Sequence, residues 1–315
     1  MKLRRPIRPP WSASADFTAL GENSLDTVVA VAGPAVAGKQ TALELRELPG
    51  GQAATAAVAM ARLNWRSRYI GAVGDDLTGS VVRRTLDHER VQPAVVTRAG
   101  IRTRRAIVMV NSETGERHVV EHRDPALDFR PDDLPEGLFA DTRILLVDLT
   151  DPAASLRAAR LARAAGARIL IDMDRPDPSV DQLLPLVDLI VVPAEALGAI
   201  SGSTEPGQGV KRLADQSGSG AVIATLGPEG ALAWAEGREI RSPAHQVEVV
   251  DTTGAGDAFR AGLAAGWLGR HGSDPDLAEL LADANLVAAL NCRALGAQTS
   301  LPQALEVPAH LRGPV

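Results

Sequence analysis

The chain has 315 residues, 45% of them hydrophobic and 23% charged, with a formal net charge of −6. This composition excludes chain-wide disorder, collagen-like repeats and coiled coils, and at about 150 residues per domain it fits one large or two modest domains. The mild acidity argues against a general nucleic-acid or polyanion binder, although a local basic pocket for a small anion would be hidden in the sum.

In chain order, residues 1–15 are basic at first, contain three prolines and lack an apolar stretch, so they read as a flexible tail and not as a signal peptide. A first strand at 17–20 ends at Gly21. Residues 41–48 alternate with period two, as a half-exposed strand does. Gly50 and Gly51 then lead into a helix over 52–64, whose alanines suit close packing on a sheet. A strand at 68–73, a helix to about 88 and β segments at 93–98 and 104–110 follow. A hairpin turn at 113–116 leads to a strand at 117–121.

From 143 the rhythm becomes strand–helix–strand. Strands are expected at 143–148, 168–174, 188–193, 221–227 and 230–235, helices at 152–165, 179–186 and 194–200, and a polar loop over 201–209. Alternating βα units predict an α/β fold with a mostly parallel sheet and helices on both faces. The segments near 27–49 and 101–122 interrupt that pattern. They predict a small β excursion from one large domain spanning 16–303, followed by a C-terminal tail at 304–315. With aromatics at only 3%, the core must be built from Ala, Val, Leu and Ile. The single cysteine, Cys292, cannot form an internal disulfide, and the longest apolar runs are too short to span a bilayer. A soluble cytoplasmic protein without a membrane partner is expected.

The densest chemical signal is Val250-Asp251-Thr252-Thr253-Gly254-Ala255-Gly256-Asp257-Ala258-Phe259, running into RAGLAAGWL. Gly254, Ala255 and Gly256 let backbone N–H groups converge on one point. The helix that starts there adds the positive end of its dipole, making a receptor for an anion and above all for a phosphoryl group. A carboxylate beside such a cradle is electrostatically poor as structure alone. It suits a base that takes a proton from an attacking hydroxyl, which is one reading of Asp257. The other is a simple helix cap with a glycine turn.

This ten-residue stretch resembles the C-terminal signature of the ribokinase-like, or PfkB, family of carbohydrate kinases. GGQAATAAVAMARL at 50–63, followed by IGAVGDDLTG at 70–79, is similar to the family's N-terminal signature. The resemblance covers about residues 16–303. AIVMVNSETGER at 106–117 and ALNCRALGAQTSLP at 289–302 are most similar to a ketohexokinase/sulfofructose kinase-like branch.

The resemblance implies a ribokinase-like α/β fold with a β-sheet lid and ATP-dependent phosphorylation of a sugar hydroxyl, a ketose-like substrate being favoured. It implies ATP and Mg²⁺ as cofactors, leaves a monovalent cation open, and suggests a homodimer formed through the lid. It makes Asp257 the catalytic base and Gly254, Ala255 and Gly256 the anion hole that stabilises the transferring phosphoryl group. Asp26, five residues after Gly21, takes the place of a substrate-binding Asp, the alternative being an ordinary loop carboxylate. Gly50 and Gly51 match a pair that lets substrate approach the backbone, and Thr55 stands where many members have Asn. Lys39 lies where the first lid strand should begin, reaching either the substrate or solvent. Arg104, Arg105 and Glu121 are further candidate lid contacts, the favoured alternative for each being a solvated strand face. Thr225, Gly227 and Gly230 resemble the strand-end segment beside the nucleotide, the alternative being a plain strand-to-turn transition. Ala288, Asn291 and Gly296 fall in the region that walls the adenine, where Cys292 reads as a packing residue.

One departure stands out. Where many members carry Asn-x-x-Glu, a motif that helps organise Mg²⁺ through water, this chain has Ala194 and Leu197. Glu195 and Asp174 are the acids expected to act near the ion through water, Glu195 otherwise being a solvated helix-start residue. The alternatives to a sugar kinase are a nucleoside kinase of the same fold, disfavoured by the scarcity of aromatics, and a catalytically silent sugar or nucleotide sensor.

Overall fold

The computed structural model describes residues 15–36, 38–270 and 276–314. Apart from Ala15, the expected N-terminal tail lies outside them. The first half of the chain runs β1 (Ala15–Leu20), β2 (Ser24–Val31), β3 (Ala42–Gly50), α1 (Gln52–Arg62), β4 (Ser67–Gly74), α2 (Leu77–His88), β5 (Gln92–Arg98), β6 (Arg105–Asn111) and β7 (Arg117–His122). The second half runs β8 (Thr142–Val147), α3 (Pro152–Ala164), β9 (Arg168–Asp172), β10 (Leu189–Pro193), α4 (Ala194–Ser201), α5 (Pro206–Ser217), β11 (Ala221–Thr225), β12 (Ala231–Ala235), β13 (Arg238–Ser242), α6 (Ala255–Gly269) and α7 (Leu277–Asn291).

Strands such as TRILLV in β8 and RILID in β9 are buried throughout, as parallel strands covered on both faces must be. They form a nine-stranded sheet of order β13-β12-β11-β10-β9-β8-β1-β4-β5, parallel except at the β11–β12–β13 end. One apolar core lies between this sheet and α1, α6 and α7, and a second lies beneath α3, α4 and α5. Alanines fill much of both. The chain winds outward from β1 through β4 and β5, then restarts at β8 and winds the other way. That reversal opens a crevice at the carboxyl ends of β1 and β8, the place where open α/β sheets bind ligands.

The interrupting segments pair as a four-stranded sheet of order β3-β2-β6-β7. Its inner residues Val28, Ala106, Val108 and Val110 pack with Leu48 of β3 and with Leu295 of the body. The sheet is therefore seated over the crevice by an apolar contact of its own.

Three stretches differ from the sequence reading. The expected polar loop over 201–209 ends at Glu205, whose carboxylate accepts hydrogen bonds from the amides of Gly207 and Gln208 and so caps α5. The glycines that suggested a loop are contact points. A Cβ on Gly209 would lie 2.8 Å from the Leu197 side chain, so glycine lets α5 close on α4. The helix expected at 179–186 is instead two 3₁₀ turns, Pro178–Gln182 and Leu184–Leu186. The C-terminal segment folds onto the body. Leu311 is fully buried, its carbonyl accepts from Trp65 Nε1 at 2.9 Å, and Gly313 N–H donates to the Leu63 carbonyl at 2.8 Å. Among the described residues no helix is long and apolar enough to cross a membrane.

Leu311 closes the core over Trp65, so Leu311→Ala should destabilise the fold by roughly 2–5 kcal/mol, the cost of emptying a buried leucine site. Urea unfolding at equilibrium checks this. A loss below half a kilocalorie would mean that the segment is only laid on the surface.

Candidate active site

The crevice is built from residues that follow the carboxyl ends of parallel strands. After β1 come Gly21, Glu22 and Asn23. Tyr69 donates to the Gly21 carbonyl at 2.7 Å, and Asn23 Nδ2 donates to the Tyr69 hydroxyl at 2.6 Å and to the Ala72 carbonyl at 2.9 Å. After β8, the fully buried Asp148 accepts from the amides of Glu22 (2.7 Å) and Thr150 (3.0 Å). Gly21 is required here, because its φ is 149° and a Cβ would fall 2.0 Å from the Asp148 carboxylate. Asp172 ends β9, and Asp174 follows it, accepting from Gln52 Nε2 and Arg175 Nε at 3.0 Å each.

Asp26, on β2, is buried against the glycine pair. A Cβ on Gly50 would lie 2.1 Å from Asp26 Oδ2, and one on Gly51, at φ 90°, would lie 2.3 Å from the Asn23 backbone. Asp26 Oδ1 has no hydrogen-bond partner. Arg104 is buried and not solvated as its sequence context suggested. It forms an ion pair with Glu22 at 2.7 Å, pairs with Glu121 of β7, and lies 3.9 Å from Asp26. Burial outweighs Arg104 and pushes Glu22 up to about 8; it raises Asp26 as well. Arg105 does sit at the surface, paired with Glu47.

On the opposite wall, Gly254 caps α6 at φ 77°. A Cβ there would strike the Ala297 carbonyl at 2.6 Å. The bond from Ala258 N–H to the Gly254 carbonyl (2.9 Å) opens the helix, so the amides of Gly256 and Asp257 belong to the unpaired first turn. Asp257 is only 8% exposed, and burial raises it to about 7 even though Arg260 and Arg117 pull it down. Asp148 and Asp174 add to the rise.

Asp251 and Asn291 support this turn from beneath. Asp251, fully buried, accepts from Thr253 N–H and Oγ1 and from Gly296 N–H at 2.6–2.8 Å. Asn291, also fully buried, donates to the Thr253 carbonyl at 3.1 Å, which leaves it no exposed surface for a base to lie on. Ala288 and Gly296 flank it, and Gly296, at φ 91°, has room for no Cβ beside Leu48 of the lid. Thr225 ends β11. Gly227 and Gly230 make the following turn with positive φ, and Gly230 lies tight against the Ser242 carbonyl.

Some expected residues are not brought together. Thr55 is fully buried and accepts from Gln298 at 3.2 Å, below the crevice floor. Lys39 and Glu195 are exposed, and neither makes a hydrogen bond or ion pair among the described residues. Leu197 points into the core beneath α4, so the Asn-x-x-Glu positions offer no polar group. Conversely, Glu22, Asp148, Asp251 and Arg260 carry much of the site's electrostatics. Asp148 was visible only as the acid after an apolar strand, and Asp251 only as a letter of the motif.

Residues 16–304 match the sequence profile of the pfkB family carbohydrate kinases. Over 278 residues the chain is 37% identical to a fructokinase of Klebsiella pneumoniae, spanning 82% of this chain and 90% of that protein. Its fold superposes on the crystal structure of a putative ribokinase from Agrobacterium tumefaciens with a TM-score of 0.84 at 26% identity, covering 93% and 95% of the two chains. It also superposes on aminoimidazole riboside kinase from Salmonella enterica, complexed with aminoimidazole riboside and an ATP analogue, with a TM-score of 0.77 at 27% identity, covering 94% and 100%. A profile match over nearly the whole chain, laid on a crevice with a buried carboxylate at a helix start, makes this protein a member of the pfkB family of carbohydrate kinases, an ATP-dependent sugar kinase with a ribokinase-like fold.

Proposed function

We propose that the acceptor is an uncharged, ketose-like sugar, bound under the lid against Asp26, Gly50 and Gly51. The observation that carries this reading is the state of the arginines at that end of the crevice. Arg104 is taken by Glu22 and Glu121, Arg123 by Asp128 and Asp151, and Arg175 by Asp174. An anionic substituent would have to displace a carboxylate from one of them and would still face Asp26 and Asp148. Sugar hydroxyls suit such a site, because they donate to the acceptor oxygens of Asp26 and Asn23 that lack partners. The similarity to a fructokinase points the same way. A nucleoside would want an aromatic shelf, yet Phe17, Phe129, Phe139, Phe259 and Tyr69 are all buried in the body.

In this reading Asp257 accepts the proton of the attacking hydroxyl as its oxygen bonds to the γ-phosphorus and the bond to the ADP oxygen breaks. The amides at the start of α6 stabilise the charge on the phosphoryl oxygens. The nucleotide lies along Thr225, Gly227 and Gly230 towards Ala288 and Gly296. Among the described residues no three acids, histidines or cysteines converge into a cage for a metal ion. Mg²⁺ would therefore be carried by the triphosphate and water, with Asp174 as the nearby acid and its charge neutralisation as its contribution. Outside the crevice, Leu45, Ile107 and Val120 lie on one face of the lid sheet, 63%, 51% and 70% exposed, with Val29 and Met109 between them in register. A second copy of the chain is the proposed cover for this face.

Four outcomes test these readings. With a panel of free ketoses, aldoses, sugar acids, sugar phosphates and nucleosides, ADP release should be fastest with a free ketose. Asp257→Asn should lower it by about 10²–10⁴-fold while the variant still binds ATP; near-normal turnover would reduce Asp257 to a cap. At saturating Mg²⁺, Glu195→Ala should change kcat less than about threefold, because a solvated carboxylate contributes little; a loss matching that of Asp257→Asn would reveal a dedicated ligand. Light scattering should report twice the 33.0 kDa chain mass, and Val120→Glu should restore the monomer. A wild-type monomer at micromolar concentration would remove the lid interface.

A further inference from the structure

Arg260 sits one helical turn after Asp257, on the same face of α6, and is 5% exposed. Its guanidinium folds back along the helix. Nη1 donates to Asp257 Oδ1 at 3.2 Å, and Nη2 pairs with Asp172 Oδ1 at the carboxyl end of β9. The side chain lies over Gly256, where a Cβ would stand 2.9 Å from Nη1. Gly256 therefore does more than expose an amide, because its missing side chain makes room for the fork. The mechanism above does not use this residue. Burying an arginine costs several kilocalories unless its partners are well placed. Neutralising Asp172 alone would not require the second arm on Asp257.

We infer that Arg260 is a positioning residue for phosphoryl transfer: anchored on Asp172, its planar fork holds the Asp257 carboxylate in line with the amides that open α6. The inference rests on Asp257 being the base. The rigid guanidinium ties a helix residue to a strand end 88 positions earlier in the chain, so the carboxylate cannot rotate away without breaking a buried pair. The groups facing Asp257 are Arg260 from α6, Arg117 from β7, Asp148 after β8, and Asp172 and Asp174 at and after β9. Of the two cations, Arg260 acts the more strongly. Without it, Asp257 faces three acids and one arginine, and it holds its proton to higher pH. Loss of Arg260 should therefore be partly reversible by alkali, whereas loss of Asp257 is not.

The experiment compares pH profiles of kcat, and KM values, for wild type, Asp257→Asn, Arg260→Met, Arg260→Lys and the double variant Asp172→Asn/Arg260→Met. Arg260→Met should lower kcat at neutral pH about tenfold, short of the 10²–10⁴-fold expected on removing the base, with KM for sugar and ATP nearly unchanged. Its acid limb should move up by about one unit, the scale of one adjacent guanidinium, so that activity recovers in alkali. Arg260→Lys keeps the charge without the fork, and should restore the limb but only part of kcat. The double variant removes both charges, so Asp172 is not left as an orphaned ion, and should show the same loss of kcat with a smaller upward displacement of the limb, because one of the three acids facing Asp257 leaves with the arginine. It decides the matter if Arg260→Met does not fold, and Arg260→Lys decides if neither does. Unchanged kcat and acid limb in the folded variant, beside an inactive Asp257→Asn, overturn the role of Arg260 alone. Full turnover by Asp257→Asn overturns the base and this inference with it.

Discussion

Negative charge is concentrated where the strand order reverses, and the rest of the site answers that concentration. β1, β8 and β9 end together, and the chain places Glu22, Asp148, Asp172 and Asp174 there, with Asp257 facing them from the start of α6. Burial pushes Glu22, Asp148, Asp172 and Asp257 all upward. One unit of such a shift is about 1.4 kcal/mol of preference for the protonated form, so leaving these acids uncompensated would cost a large share of the net stability of a fold. Backbone amides compensate Asp148, arginines compensate Glu22 and Asp172, and the positive end of α6 faces Asp257. The residual tension is useful. On the proposed mechanism, the carboxylate that burial has raised, Asp257, is the one that takes the proton of the attacking hydroxyl.

Much of this was readable from the sequence wherever cause and effect are neighbours in the chain. Gly254-Ala255-Gly256-Asp257 specifies its own turn and helix start, and Gly50-Gly51 specifies a close backbone approach. The apolar runs of β8 to β11 declare buried parallel strands. What escaped is what topology alone brings together. Arg104 looked like one of many surface arginines, because its partners Glu22 and Glu121 lie 82 residues before it and 17 after it. Asp172 and Arg260 meet across 88 residues. Thr55 and Asn291 lie within the right motifs, but their side chains face inward, and motif spacing does not report which way a helix is rotated. α5 was hidden because glycine at a helix–helix contact looks the same in sequence as glycine in a loop.

The lid is tied into this electrostatics at two points. Beside the glycine pair, Asp26 of β2 and Glu121 of β7 share Arg104 with Glu22 of the body. At the start of α6, the β6–β7 hairpin offers the Gly115 carbonyl to Thr252, which donates through its amide at 3.2 Å and its hydroxyl at 3.0 Å, and Arg117 donates to the same hydroxyl at 3.1 Å. Gly115 has φ 73°, and a Cβ would stand 2.7 Å from Val249, so the hairpin can approach the loop only without a side chain there.

Thr252 is two residues before Gly254, and its carbonyl accepts from Ala255 N–H at 3.2 Å in the turn that opens α6. The lid thus bonds directly to the turn that opens α6, while Arg117 adds its charge to the field at Asp257. A displacement of the lid would break the Gly115–Thr252 bonds, remove Arg117 from Asp257 and separate Arg104 from Glu22 together. The Asp26–Arg104–Glu22 cluster, the turn that opens α6 and the electrostatic field at Asp257 are therefore not independent settings. They are held by one seated sheet. On the proposed mechanism, a sheet seated in this way also keeps water from the transferring phosphoryl group, the condition under which transfer to a sugar hydroxyl outcompetes hydrolysis.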